Sequence, residues 1–129
     1  MALKIIIDKK EKEGFFIFSL FGSLDSDTYQ DFEKKINPIL EKKPKGIVFN
    51  MEKLDYISSM GLSTIFKTKK AVEEGGGALA ITNLAPSVKK VFEIVKAIPD
   101  YIFETMAEAD EYLDATLSDA QKNNREKKN

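Results

Sequence analysis

The chain has 129 residues, 43% hydrophobic and 32% charged, with twenty basic and twenty-one acidic side chains. That composition suits a soluble domain with one core, and a net charge of −1 gives no electrostatic pull toward nucleic acid or an anionic membrane. Cysteine and histidine are both absent, which excludes disulfides, thiolate chemistry and every catalytic or metal-ligating use of imidazole.

Residues 4–8 and 15–21 are β-rich apolar runs on either side of the charged stretch KKEKEG. They predict a hairpin turned at Gly14, its second strand apolar enough to be buried on both faces. In GSLDSDTYQDFEKKINPILEKKP, the residues Tyr29, Phe32, Ile36 and Leu40 recur at spacings of three and four. That is a helical stripe, with Ser26 or Asp27 as its cap. Pro38 falls inside it and predicts a kink or split near Asn37, because proline has no N–H to donate. After Pro44-Lys45-Gly46, the run GIVFNM (46–51) predicts a short central strand. A second helix from about Ser59 to Glu74 buries Leu62, Ile65, Phe66 and Val72, and Gly75-Gly76-Gly77 ends it.

ALAITN (78–83) predicts another strand. Pro86, with Ser87 beside it, opens a third helix that turns Val88, Val91, Phe92 and Val95 inward. Residues 101–103 make a short last strand, and a fourth helix over about 106–117 places Ala109, Leu113 and Leu117 on one side. From Ser118 on there is no apolar periodicity, so residues 118–129 are expected to be a disordered polar tail. The order β-β-α-β-α-β-α-β-α predicts one α/β domain over residues 1–117, a mixed, mainly parallel sheet flanked by about four helices. The apolar run at residues 2–7 is too short for a signal-peptide core, and no segment approaches a membrane-spanning length. The expected location is the cytoplasm, without membrane insertion.

Catalytic patterns are thin. Ser59-Met60-Gly61 supplies half of a nucleophile elbow, but Ile57 stands where the first glycine belongs, and no histidine can act as base. Ser87-Val88-Lys89-Lys90 spells Ser-x-x-Lys in a domain too small for the fold that uses it. Gly75-Gly76-Gly77 closes a helix, whereas a phosphate cradle opens one. Asp25, Asp27, Asp31 and Asp55 match no metal-ligand spacing and suit helix starts. The reading is a non-enzyme without catalytic residues, metal or cofactor.

SSMGL (58–62) stands out. One serine caps the second helix, worth about 1 kcal/mol. Gly61 disfavours that helix by about 1 kcal/mol relative to alanine, and a residue without a side chain there lets another molecule approach closely. A hydroxyl at a helix start can accept a phosphate without unfolding its own domain, since negative charge is favoured there.

NMEKLDYISSMGLSTIF (50–66) resembles the signature of bacterial anti-sigma-factor antagonists, small STAS-domain proteins. GSLD (22–25) matches a Gly-x-Leu-Asp motif of that family, and NLAPSVKKVFE (83–93) matches its Asn-x-x-Pro-x-apolar motif. The likeness extends over about residues 4–113 in the same element order. It implies a binding protein: the unphosphorylated form binds an anti-sigma factor that is a serine kinase and so frees a sigma factor. Phosphorylation of the signature serine ends binding, and a metal-dependent serine phosphatase resets the cycle. Carried onto this chain, the phosphorylated residue is Ser59, aligned through Gly61-Leu62, with Ser58 as second choice. The partner-binding residues are Asp25, Ser58, Ser59, Met60, Gly61 and Leu62.

Ser58 departs from the Asp of many members, Met60 from a small residue, and Ser23 from a frequent Glu or Arg. The resemblance further implies a chain that is monomeric when free and makes no direct contact with nucleic acid. The alternative is a non-switching STAS scaffold, or a subunit in a signalling complex or a lipid-transport or permease assembly.

Overall fold

Large and small apolar residues alternate along the middle strands, and this decides what lies on each face of the sheet. Phe16, Phe18, Leu20, Ile47, Phe49, Leu79 and Ile81 join one buried cluster, whereas Phe15, Val48, Ala78 and Ala80 join another. Period-two alternation with both faces buried is the mark of an interior sheet. A computed structural model describes residues 2–9, 13–94, 102–103, 107–109 and 111–115. The elements are β1 (Leu3–Lys9), β2 (Phe15–Leu24), α1 (Tyr29–Glu41), β3 (Gly46–Ile57), α2 (Ser59–Glu74), β4 (Ala78–Thr82), α3 (Pro86–Ile94) and β5 (Ile102–Phe103). The sheet order is β1-β2-β3-β4-β5, with β1 antiparallel to β2 and every other pair parallel.

The first cluster is covered by Phe32 and Ile36 of α1, Leu62, Ile65 and Val72 of α2, and Val88 and Phe92 of α3. Phe49 anchors it, meeting Phe18 and Phe32 edge-on at ring-centroid distances of 5.7 and 5.6 Å. The second cluster is capped by Ala109 and Leu113, from the helical residues 107–109 and 111–115. The α/β order and the central place of β3 are as the sequence predicts. Phe66, Val91, Tyr29 and Leu40 are only half-buried. Val95, Leu117 and the expected tail at 118–129 lie outside the described residues.

Three local expectations are corrected. Helix α1 is not split: it runs from Tyr29 to Glu41 with Pro38 inside. The donor that proline lacks would serve the carbonyl of Lys34, an exposed residue that water can reach, while buried Phe32 and Ile36 hold the helix on the core. Neither Ser26 nor Asp27 caps α1; the cap position is Thr28, without a side-chain cap bond. Asp25 serves the turn instead, its Oδ1 accepting from the N–H groups of Asp27 (2.9 Å) and Thr28 (3.1 Å).

Finally, the central strand runs on past Met51 to Ile57. Its register against β2 slips twice: Ser19 pairs with Asn50 but Phe21 with Lys53, and Gly22 pairs with Leu54 but Ser23 with Tyr56. Each slip inserts one extra residue in β3, a β-bulge that resets which face the next side chain takes. Met51, Leu54 and Ile57 are therefore all buried although they are three residues apart. Asn50 supports the first bulge by accepting the Glu52 N–H at 3.1 Å.

Candidate functional site

Strands β2, β3 and β4 are parallel and end at one edge of the sheet, where α1, α2 and α3 begin. In open α/β sheets this edge is the usual place for a site. The loop from β3 into α2 is its centre. Ser58 is extended (φ −92°, ψ 175°), and its Oγ accepts the Gly61 N–H at 3.2 Å, so Ser58 is the N-cap. Its own N–H donates to the Leu24 carbonyl at 3.0 Å, and its carbonyl accepts the Leu62 N–H at 2.8 Å. Ser58 is thus committed to holding the helix start.

Ser59, the first residue of α2, is exposed, and its hydroxyl makes no hydrogen bond to the described residues. The two adjacent serines divide the work: one closes the turn and the other faces solvent. Met60 is 45% exposed, and Tyr56 is 46% exposed. The second bulge turns Tyr56 outward while Ile57 stays buried. No periodicity signal in the sequence could have shown this, because bulges break periodicity.

Gly61 is corrected. It is buried, and a Cβ there would stand 2.3 Å from the Leu24 carbonyl oxygen and 2.9 Å from Ile57 Cγ1. Its missing side chain admits the end of β2, not an outside molecule. Leu62 is buried too. Gly61 and Leu62 therefore shape the site from beneath and present no side chain to a partner.

Asp25 follows directly on Leu24, whose carbonyl takes the Ser58 N–H, so the β2–α1 turn flanks the serine loop. Asp25 is half-buried with Oδ1 bound into its own turn, and Thr28 Oγ1 beside it accepts from the Asp25 N–H (3.0 Å) and donates to the Ser23 carbonyl (2.8 Å). On the other flank, Ser87 Oγ donates to the Asp55 carbonyl at 2.7 Å, tying α3 to the bulged end of β3. Asn83 takes the left-handed conformation (φ 58°) that asparagine tolerates, and its Nδ2 lies 3.4 Å from Asn50 Oδ1.

Asp27, Asp31 and Asp55 are exposed and dispersed; no group of three acidic residues among the described residues could hold a metal ion. None of the described helices is long and apolar enough to cross a membrane.

The STAS domain family model matches residues 7–109. BtrV of Bordetella bronchiseptica, assigned as an anti-sigma factor antagonist, is 32% identical over 92 residues, spanning 71% of this chain and 78% of BtrV. The anti-sigma-B factor antagonist of Staphylococcus aureus is 25% identical over 92 residues, spanning 71% of this chain and 85% of that protein. Among solved structures, the anti-sigma factor antagonist SpoIIAA of Bacillus superimposes in its unphosphorylated form with a TM-score of 0.71 at 22% identity, over 88% of this chain and 97% of its own. Its phosphorylated form gives 0.64 at 22% identity, over 86% and 98%. These superpositions establish the fold.

Proposed function

The chain belongs to the STAS-domain family of anti-sigma factor antagonists, and on that premise we propose that it works by phosphorylation-controlled partner switching in the cytoplasm. Unphosphorylated, it binds an anti-sigma factor that is a serine kinase, and a sigma factor is released. Phosphorylation of Ser59 ends that binding, and a metal-dependent serine phosphatase restores it. Tyr56, Met60 and Asp25 form the docking surface around Ser59.

The observation that carries this reading is the exposed, unbonded hydroxyl of Ser59 on the first turn of α2, beside a Ser58 already used as the cap. A phosphate there adds about −1.5 to −2 charge at neutral pH. At a helix N-terminus that charge is favoured by about 0.3–1 kcal/mol, so the domain stays folded. Against like charge in a docked interface it costs several kcal/mol, and about 4 kcal/mol is roughly a thousandfold in affinity. The fold neighbour SpoIIAA, which has both an unphosphorylated and a phosphorylated form, is consistent with such a cycle.

The test is to incubate purified protein with its cognate anti-sigma kinase and ATP, and to measure phosphate incorporation by mass spectrometry. Wild type is expected to gain one phosphate and Ser59→Ala none; modification of Ser59→Ala at the wild-type rate overturns the assignment. In a pull-down, Ser59→Asp is expected to lose the kinase that wild type retains. Transport subunits recovered equally by both forms would replace switching with the scaffold reading.

A further inference from the structure

Strand β1 forms a rim of the sheet, paired with β2 on one side and with no other strand among the described residues. Rim strands are commonly kept from pairing by brevity, proline or unopposed charge. β1 is seven residues long, has no proline, and carries three successive isoleucines, of which Ile6 is 40% and Ile7 36% exposed. Leu3 and Ile5 face inward against the core, so Lys4, Ile6 and Asp8 share the opposite face. The Lys4 ammonium is held on that face over the Phe21 ring, 5.9 Å from its centroid.

The charges of β1 complement their own reversal. When a second β1 lies antiparallel about a two-fold axis through Ile6, the strand's midpoint, Lys4 of each copy stands opposite Asp8 of the other. Ile6 then meets Ile6, Ile5 meets Ile7, and Leu3 meets the aliphatic stem of Lys9. Every residue of the strand finds a partner, and like charge never faces like. An axis through Ile5 sets Lys4 against Ile6, and one through Ile7 sets Asp8 against Ile6, so charge selects a single register.

We propose that a second copy of this chain docks on β1 in that register, joining two sheets into one continuous sheet. The protein is then a reversible dimer, not the free monomer that the family resemblance implies. Ser59 follows β3, two strands in from the rim, so the paired form leaves it uncovered.

Sedimentation velocity of the full chain over a range of concentrations tests this. The mass is expected to rise from one chain to two. Lys4→Asp and Asp8→Lys each place like charges opposite one another twice, and each is expected to weaken association roughly tenfold. Equal amounts of the two variants mixed together carry complementary strands and are expected to recover the dimer. The double variant Lys4→Asp/Asp8→Lys is expected to recover it as well, and because it keeps the strand's composition it controls for misfolding caused by a lone charge.

Recovery cannot arise within one chain, since positions four apart on a strand are about 13 Å apart. Circular dichroism melting confirms that each variant is folded. A wild type with the mass of one chain up to about 1 mM overturns the proposal. So does a dimer indifferent to both single variants, and so does a loss that neither the mixture nor the double variant repairs.

Discussion

Helix α2 meets the rest of the molecule at each end through a glycine. At its start, a Cβ on Gly61 would lie 2.3 Å from the Leu24 carbonyl oxygen; just past its end, a Cβ on Gly77 would lie 2.2 Å from that of Pro44. The two are equivalent as packing, since each lets a backbone carbonyl press against the chain where any side chain would collide. What differs is the surface left above them. The first end exposes Ser59, Tyr56 and Met60, whereas the second exposes Glu73, Glu74, Gly75 and Gly76. The comparison separates two meanings that a glycine beside serines runs together: Gly61 marks a close approach inside the domain, and the side chains around it are what the surface offers to the recognition proposed above.

Four substitutions test this separation by thermal and denaturant unfolding. Gly77→Ala is expected to cost most, about 3 kcal/mol, because it overpacks a contact between backbones with no gain in helix propensity to offset it. Gly61→Ala creates a similar clash but gains about 1 kcal/mol of propensity, for a net loss of about 2 kcal/mol, or roughly 8 °C in Tm. A benign Gly61→Ala beside a damaging Gly77→Ala would break the equivalence and return Gly61 to a role at the surface. Ser58→Ala removes the cap bond to the Gly61 N–H and is expected to cost about 1 kcal/mol. Ser59→Ala is expected to change stability by less than about 0.5 kcal/mol, as for an exposed side chain without partners. Equal losses for Ser58→Ala and Ser59→Ala would contradict the division of labour between the two hydroxyls.

The order of elements was legible in the sequence because it rests on local signals. The bounds of α2 follow from a serine cap and a glycine stop, and both act within a turn. Pro38 misled because its rule concerns one local hydrogen bond, while the anchorage of Phe32 and Ile36 in the core holds α1 together across it. The length of β3 was hidden for another reason. Its two bulges bury Met51, Leu54 and Ile57 at intervals of three, a spacing that does not resemble a strand, and only pairing with β2 accounts for it. The second of these bulges also turns Tyr56 to the surface, which no local pattern signals. In the site, the serines were legible from chain chemistry, but which of them caps and which faces solvent depends on the position of the Leu24 carbonyl, contributed from a distant part of the chain.

That carbonyl has a further consequence. By accepting the Ser58 N–H and lying against Gly61, it fastens the first turn of α2 to the end of β2. A synthetic fragment covering residues 56–66 would lose this clamp, and it is shorter than the roughly 12–15 residues at which isolated helices begin to hold in water. An enzyme that modifies Ser59 would have to recognise a sculpted patch of folded protein, so screens built on linear peptide substrates would overlook it.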